Sequence, residues 1–175
     1  MSLNKPSMIV LGSTVSVGEQ AIDVAEKFGV GVDAISAHKN VKRVEEQARA
    51  FSVKACAMSD PDAASDLKAR LADTDIRVYS GTEGICEMIT DVNSDSPCGQ
   101  IVENSIVGEA GLRPTLATLN AGKKLALANK ESLVVGGDSV MDLAREKNIT
   151  FNSIMKIMED GMLIFPTGHS NMPIY

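Results

Sequence analysis

Met8-Ile9-Val10-Leu11-Gly12-Ser13-Thr14-Val15-Ser16-Val17-Gly18 runs from four apolar residues into a turn-rich segment bounded by two glycines. Ala21, Val24, Ala25 and Phe28 follow at helical spacing, so the stretch reads as strand, tight loop and helix. Such a unit opens a parallel α/β fold, and the residues after it continue the rhythm. Gly29 and Gly31 end the helix, and Val32 to Ala37 is a second strand. Asn40 caps a predicted helix carrying Val41, Val44, Ala48 and Phe51, with Glu45 and Glu46 in its early turns. Ala55 to Met58 is a third strand, and Asp60-Pro61 places an N-cap before a proline at the first position of a helix through Leu67 and Leu71. Ile76 to Tyr79 reads as a fourth strand, Glu83 to Ile89 as a short helix and Asp91 to Gly99 as a polar loop. Beyond it come a strand from Ile101 to Val107, a helix from Pro114 to Ala121 ended by Gly122, and a strand from Lys124 to Ala128. Val140 to Lys147 is helical in pattern and Ile149 to Phe151 strand-like. Strands alternating with helices imply right-handed crossovers and a doubly wound, Rossmann-like parallel sheet with helices on both faces. Residues 1–150 are expected to form that domain, with 151–175 as a tail.

Composition narrows the function. The 175 residues, 44% of them hydrophobic, suffice to fill the core of one domain. A net charge of −6, from 17 basic and 23 acidic residues without blocks, argues against a nucleic-acid surface and favours a small-molecule ligand. No apolar run approaches the roughly 18 residues a membrane span needs, and the start lacks a signal-peptide core. The expectation is a cytoplasmic protein. Cys56, Cys86 and Cys98 are odd in number and lack close metal-ligand spacing, so they read as reduced packing thiols.

The first loop suggests the ligand. Glycines in the first strand-to-helix turn of a dinucleotide fold let the backbone bend and approach a pyrophosphate, which the helix N-terminus then binds. Gly12 and Gly18 hold the outer glycine places, and Ser13, Thr14 and Ser16 add hydroxyls. The alternative is an ordinary turn that happens to carry two glycines. Val15 counts against a phosphate cradle, because a β-branched side chain narrows the approach and resists positive φ.

About 20 residues beyond such a loop, an NAD site usually carries an acid for the ribose 2′-hydroxyl. Here the sequence reads Ala37-His38-Lys39-Asn40, with no carboxylate. Lys39, helped by His38 and Asn40, would attract a 2′-phosphate and favour NADP; otherwise Lys39 is a solvated surface lysine. Asp33, at the start of the second strand, should lie too far away to serve as the ribose acid.

Asn129-Lys130-Glu131 would emerge at the carboxyl end of the Lys124–Ala128 strand, where open α/β sheets bind ligands. The same residues also fit a helix entry with Asn129 as N-cap and Glu131 in the first turn.

Gly12 to Gly18, Ala37-His38-Lys39-Asn40, Ile106-Val107-Gly108-Glu109-Ala110-Gly111-Leu112-Arg113-Pro114-Thr115-Leu116 and Ala126 to Val134 resemble, in order and spacing, motifs of the 1-deoxy-D-xylulose 5-phosphate reductoisomerase family. The resemblance covers about residues 8 to 150. It implies an NADPH-dependent oxidoreductase of non-mevalonate isoprenoid biosynthesis that rearranges and reduces its sugar phosphate substrate to 2-C-methyl-D-erythritol 4-phosphate. It also implies a divalent metal, Mg or Mn, and a homodimer. By that resemblance Thr14, Val15, Ser16 and Val17 line the cofactor phosphates, and His38, Lys39 and Asn40 face the 2′-phosphate. Asn129 and Glu131 contact the cofactor, and Lys130 contacts substrate as the catalytic cation.

Two departures stand out. Val15 occupies a place where the family has glycine. Where the family continues past the strand near Ile149 into an Asp-Ser-Glu metal segment, this sequence has Phe151-Asn152-Ser153-Ile154-Met155-Lys156, with Glu159 and Asp160 a weak substitute. The tail, with an Asp160-Gly161 turn before Met162-Leu163-Ile164-Phe165, is read as a remnant of a catalytic domain in a chain abridged between Thr150 and Asn152. Another NADP-dependent oxidoreductase, or a non-catalytic nucleotide-binding scaffold, are the alternative functions.

Overall fold

The computed structural model describes residues 5–128, 136–138, 140, 142, 143, 145, 146, 151 and 152. Its first half alternates β1 (Ser7–Leu11), α1 (Ser16–Phe28), β2 (Val32–Ala37), α2 (Val41–Phe51), β3 (Ala55–Met58), α3 (Pro61–Arg70) and β4 (Arg77–Ser80). After α4 (Gly81–Asp91) come β5 (Gln100–Asn104), a 3-10 turn at Gly108–Gly111, α5 (Leu112–Asn120), β6 (Lys124–Leu127) and β7 (Phe151–Asn152). Residues 136–138, 140, 142, 143, 145 and 146 are helical. All seven strands are parallel, in the order β4-β3-β2-β1-β5-β6-β7. The doubly wound α/β fold read from the sequence is the one observed.

Apolar runs buried on both sides are what a parallel sheet requires. Along β1, Met8 and Val10 pack with Ala21, Ile22 and Ala25 of α1, Val44 of α2 and Leu67 of α3. Ile9 and Leu11 point the other way, toward Ile85, Met88 and Ile89 of α4. Leu125 and Leu127 of β6 complete the core against Leu119 and Val140.

Several boundaries differ from the sequence reading, each for a local reason. Helix α1 begins at Ser16, inside the glycine-bounded loop, because the Val15 carbonyl already accepts the Glu19 N–H at 2.8 Å. The β5 strand stops at Asn104, although Ile106-Val107 looks strand-like. The Asn104 side chain takes the Ile106 N–H at 3.1 Å and donates to the Gly111 carbonyl at 3.0 Å, which turns the chain out of the sheet. Helix α5 starts at Leu112, two residues before Pro114, a position where the missing proline N–H costs no helical hydrogen bond. Gly81, with φ of 75°, swings the chain from β4 directly into α4.

Candidate functional site: the carboxyl ends of the strands

From β1 the sheet runs outward in two directions, through β2, β3 and β4 on one side and β5, β6 and β7 on the other. The carboxyl ends of β1 and β5 therefore flank the crevice in which open α/β sheets bind ligands. Gly12, with φ of 79°, begins the turn there. The N–H groups of Gly12 and Ser13 both donate to the Ser36 carbonyl, at 2.9 and 2.8 Å, and the Val15 N–H closes onto the Gly12 carbonyl at 3.2 Å. A side chain on Gly12 would come within 3.2 Å of the Ser105 carbonyl carbon, and one on Gly18 within 2.0 Å of the Gly12 carbonyl oxygen. Both glycines are thus demanded by close backbone approach, which an ordinary turn does not require.

The loop does not ask positive φ of Val15. Val15 has φ of −91°, an extended conformation that suits a β-branched residue, and its side chain is exposed. Positive φ falls on Gly12 instead. Thr14 and Val17 are half-buried and Ser16 is exposed, so this segment borders the crevice, whereas Ser13 is wholly buried with its hydroxyl unpartnered. The sequence reading of Ser13 as a phosphate hydroxyl is therefore corrected to an inward position, held by the Gln47 amide donating to its carbonyl at 2.9 Å. With its first internal hydrogen bond at Glu19, α1 presents the N–H groups of its opening turn at the helix end.

His38, Lys39 and Asn40 form an exposed cluster just past β2. Asn40 caps α2, accepting the Arg43 N–H at 3.3 Å. The Arg43 guanidinium grips Glu19 of α1 at 2.8 and 2.7 Å, which locks the two helices behind the crevice and lowers the Glu19 pKa. His38 Nδ1 lies 2.7 Å from the Ser59 hydroxyl, and Lys39 Nζ lies 3.5 Å from Asp60 Oδ2. Asp33, as expected, stands at the opposite end of β2, bound to Ser7, Gln100 and Lys54.

On the other flank, Ser105 follows β5 with its N–H on the Leu11 carbonyl at 2.9 Å, and Val107 is 70% exposed at the rim. Ser105 donates its hydroxyl to Glu103, a fully buried residue whose second carboxyl oxygen has no partner. Burial pushes that carboxyl up to about 8. The Ala128 N–H reaches the Asn104 carbonyl at 3.1 Å, which brings the end of β6 to the same side. Asn129, Lys130 and Glu131 follow directly and lie outside the described residues, as do Glu159 and Asp160.

Sequence reasoning missed Ser59 as a partner of His38, Glu103, and the clasp of Arg43 on Glu19. Ser59 was within reach, since β3 lies beside β2 and their ends must meet. Glu103 lies in the expected Ile101–Val107 strand, but its burial between β1 and β6 follows from the strand order and not from the local sequence. Clefts of about 670 Å³, with Arg49, Lys54 and Arg77, and about 280 Å³, with Gln100 and Lys123, open at the amino ends of the strands, away from these groups. Among the described residues no group of three or more His, Cys, Asp or Glu is placed to hold a metal. Nor is any helix there long and apolar enough to cross a membrane. All three cysteines are free, and burial raises the Cys56 thiol to about 12.

A glycine-cornered loop, an open helix N-terminus at the topological switch point and a cation past β2 define the carboxyl-end crevice of a Rossmann-like α/β domain. A family model described as 1-deoxy-D-xylulose 5-phosphate reductoisomerase matches residues 8–137. The chain belongs to that family. The reductoisomerase of Desulfitobacterium hafniense (strain DSM 10664 / DCB-2) is 44% identical over 140 residues, covering 79% of this chain and 35% of the relative. That of Agathobacter rectalis is 40% identical over 168 residues, 94% of this chain and 42% of the relative. Among solved structures, the reductoisomerase of Zymomonas mobilis in complex with NADPH superposes with a TM-score of 0.78 at 33% identity, over 86% of this chain and 39% of that one. A reductoisomerase in complex with magnesium also gives 0.78, at 31% identity, over 86% of this chain and 37% of that one. The chain spans well under half the length of these relatives.

Proposed function

We propose that this domain binds NADPH at the carboxyl ends of β1, β2 and β5 and serves the isomerisation and reduction of 1-deoxy-D-xylulose 5-phosphate to 2-C-methyl-D-erythritol 4-phosphate. The observation that carries the reading is the contact of Gly18 with the Gly12 carbonyl, which brings the start of α1 against the loop and leaves Thr14, Val15, Ser16 and Val17 along the crevice. The backbone N–H groups of that turn and the Thr14 and Ser16 hydroxyls suit a pyrophosphate. Lys39, with His38 and Asn40, suits a 2′-phosphate. When bound, NADPH supplies the hydride.

Asn129 and Glu131 are assigned to the cofactor by family resemblance. Lys130 is assigned to the substrate, where a compact ammonium donates to a hydroxyl or phosphate oxygen and stabilises negative charge growing on an aldehyde oxygen. The magnesium of the solved relatives implies a divalent ion for this reaction too. Among the described residues no group of three or more His, Cys, Asp or Glu is placed to hold it. A cytoplasmic homodimer is part of the same proposal, as is the division into residues 1–150 and a tail.

Titration of the chain with NADPH and NADH tests the proposal. NADPH should bind at least about tenfold tighter, roughly 1.4 kcal/mol. Lys39→Ala should abolish most of that preference while sparing NADH, and Val15→Gly should change little, given the outward side chain and negative φ. Equal affinity for the two nucleotides would overturn it.

A further inference from the structure

The parallel pairing of β2 with β3 sets Ala37 opposite Met58, so the residues that follow each strand run side by side. Backbone contacts fasten them together: Ser59 N–H donates to the Ala37 carbonyl at 3.0 Å and Asp60 N–H to the His38 carbonyl at 3.3 Å. Side chains repeat the pairing, His38 with Ser59 at 2.7 Å and Lys39 with Asp60 at 3.5 Å. The two partners of the ion pair differ in freedom. Asp60 Oδ1 is fixed as the cap of α3 by the Ala63 N–H at 2.9 Å, and the side chain is 22% exposed. Lys39 is 67% exposed at the end of a flexible stem. A fixed carboxylate therefore holds a mobile ammonium at the place assigned to the 2′-phosphate.

We propose that Asp60 is a specificity-determining residue of the dinucleotide site, restraining the preference for a 2′-phosphorylated cofactor by competing with the phosphate for Lys39. The inference rests on the NADPH reading above. A 2′-phosphate must share the ammonium with Asp60. A ribose carrying a free 2′-hydroxyl brings no charge and does not compete for it. Asp60 thus acts on one nucleotide and not the other, and it acts through Lys39 as a positioning residue.

Affinities for NADPH and NADH, measured by fluorescence titration on the native chain, Asp60→Asn, Asp60→Ala, Lys39→Ala and the Lys39→Ala/Asp60→Asn double variant, test this. Asparagine keeps an oxygen for the Ala63 N–H while removing the charge, so Asp60→Asn should retain the native Tm. It should bind NADPH on the order of fivefold tighter with NADH unchanged. Asp60→Ala should show the same gain in preference with a lower Tm, which separates the electrostatic role from the cap. In the Lys39→Ala background the gain from Asp60→Asn should shrink to less than about twofold. A full gain in that background, an equal change for both nucleotides, no change, or weaker NADPH binding by Asp60→Asn would each overturn the inference. An unchanged NADPH affinity in Lys39→Ala would instead break the reading of the site itself.

Discussion

The carboxyl and amino ends of the same sheet handle their polar groups in opposite ways. At the amino ends, Asp33 accepts from Ser7 and from Gln100 at 2.6 Å and pairs with Lys54 at 3.3 Å. Lys54 in turn reaches Asp95 and the Asn93 carbonyl, both at 2.8 Å. Burial draws its ammonium pKa down, but Asp95 and Asp33 outweigh that and raise it. Buried Lys123 donates to the Ile89 and Val92 carbonyls at the end of α4. At the carboxyl ends, by contrast, α1 opens with no side-chain cap, the Ser13 hydroxyl and one Glu103 oxygen lack partners, and Val107 is exposed. The amino ends tie their charged side chains to one another beside the clefts, while the carboxyl ends leave the opening N–H groups of α1 without a side-chain cap and Val107 exposed. Buried polar groups without partners are costly, and they occur on both sides of the sheet, Ser13 and Glu103 toward the carboxyl ends and Gln100 Oε1 at the amino end of β5.

The largest test of that contrast lies in Glu103, which pairs in register with Val10 and Ala126 and is fully buried. Its carboxyl, raised by burial from 4.5 to about 8, stays protonated in the folded chain where the unfolded chain has released the proton. Stability from this group is therefore fully present below about pH 4, falls as pH rises toward 8 and levels off above it. Glu103→Gln keeps an oxygen for the Ser105 hydroxyl and cannot titrate. Urea unfolding at several pH values should show the variant gaining on the native chain by roughly 4 kcal/mol between pH 4 and pH 8. Parallel curves would show that the carboxyl is paired and that this end is less open than described.

Next in size is Gly18→Ala. Its new methyl would lie 2.0 Å from the Gly12 carbonyl oxygen, a backbone atom that cannot rotate away. The loop and α1 must separate, at a cost of about 3 kcal/mol, and the turn proposed to face the phosphates goes with them. Loss of NADPH binding together with a lower Tm is expected; unimpaired binding would remove the observation on which the proposed function rests.

Legibility followed the same division. Strands β2 and β3 and helix α2 were readable to the residue, because strong caps such as Asn40 and Asp60-Pro61 and unbroken apolar runs are local signals. The place of the glycine-bounded loop was readable for the same reason. What the sequence concealed depends on contacts between distant segments. Asn104 diverts Ile106 and Val107 out of the sheet by bonds to Gly111 and Thr115, and only the fold puts those groups within reach. Ser13 and Thr14 are chemically alike and adjacent, yet one is buried and the other half-buried, a distinction that periodicity in a loop does not encode. Ser59 came to His38 through strand order, which had to be inferred before the pairing was visible.

The smallest expected effect comes from the closed end. Asp33→Ala removes the acceptor shared by Ser7 and Gln100, both under a tenth exposed, and leaves the Gln100 amide without a partner. Lys54 is half-buried and keeps Asp95, which is 94% exposed, so the ion pair contributes little to the loss. Ser7 keeps the Ser94 hydroxyl as a partner, so the cost is mostly that of one orphaned buried donor, the Gln100 amide, about 1–2 kcal/mol. Since Asp33 sits at the opposite end of β2 from His38 and Lys39, NADPH affinity should hold within about twofold while the urea midpoint falls. The pair of outcomes is what separates the two ends: Gly18→Ala should lose stability and binding together, and Asp33→Ala stability alone. A parallel loss of NADPH affinity in Asp33→Ala would mean that strain at the amino ends travels along the strands to the crevice, and that the two ends are not independent.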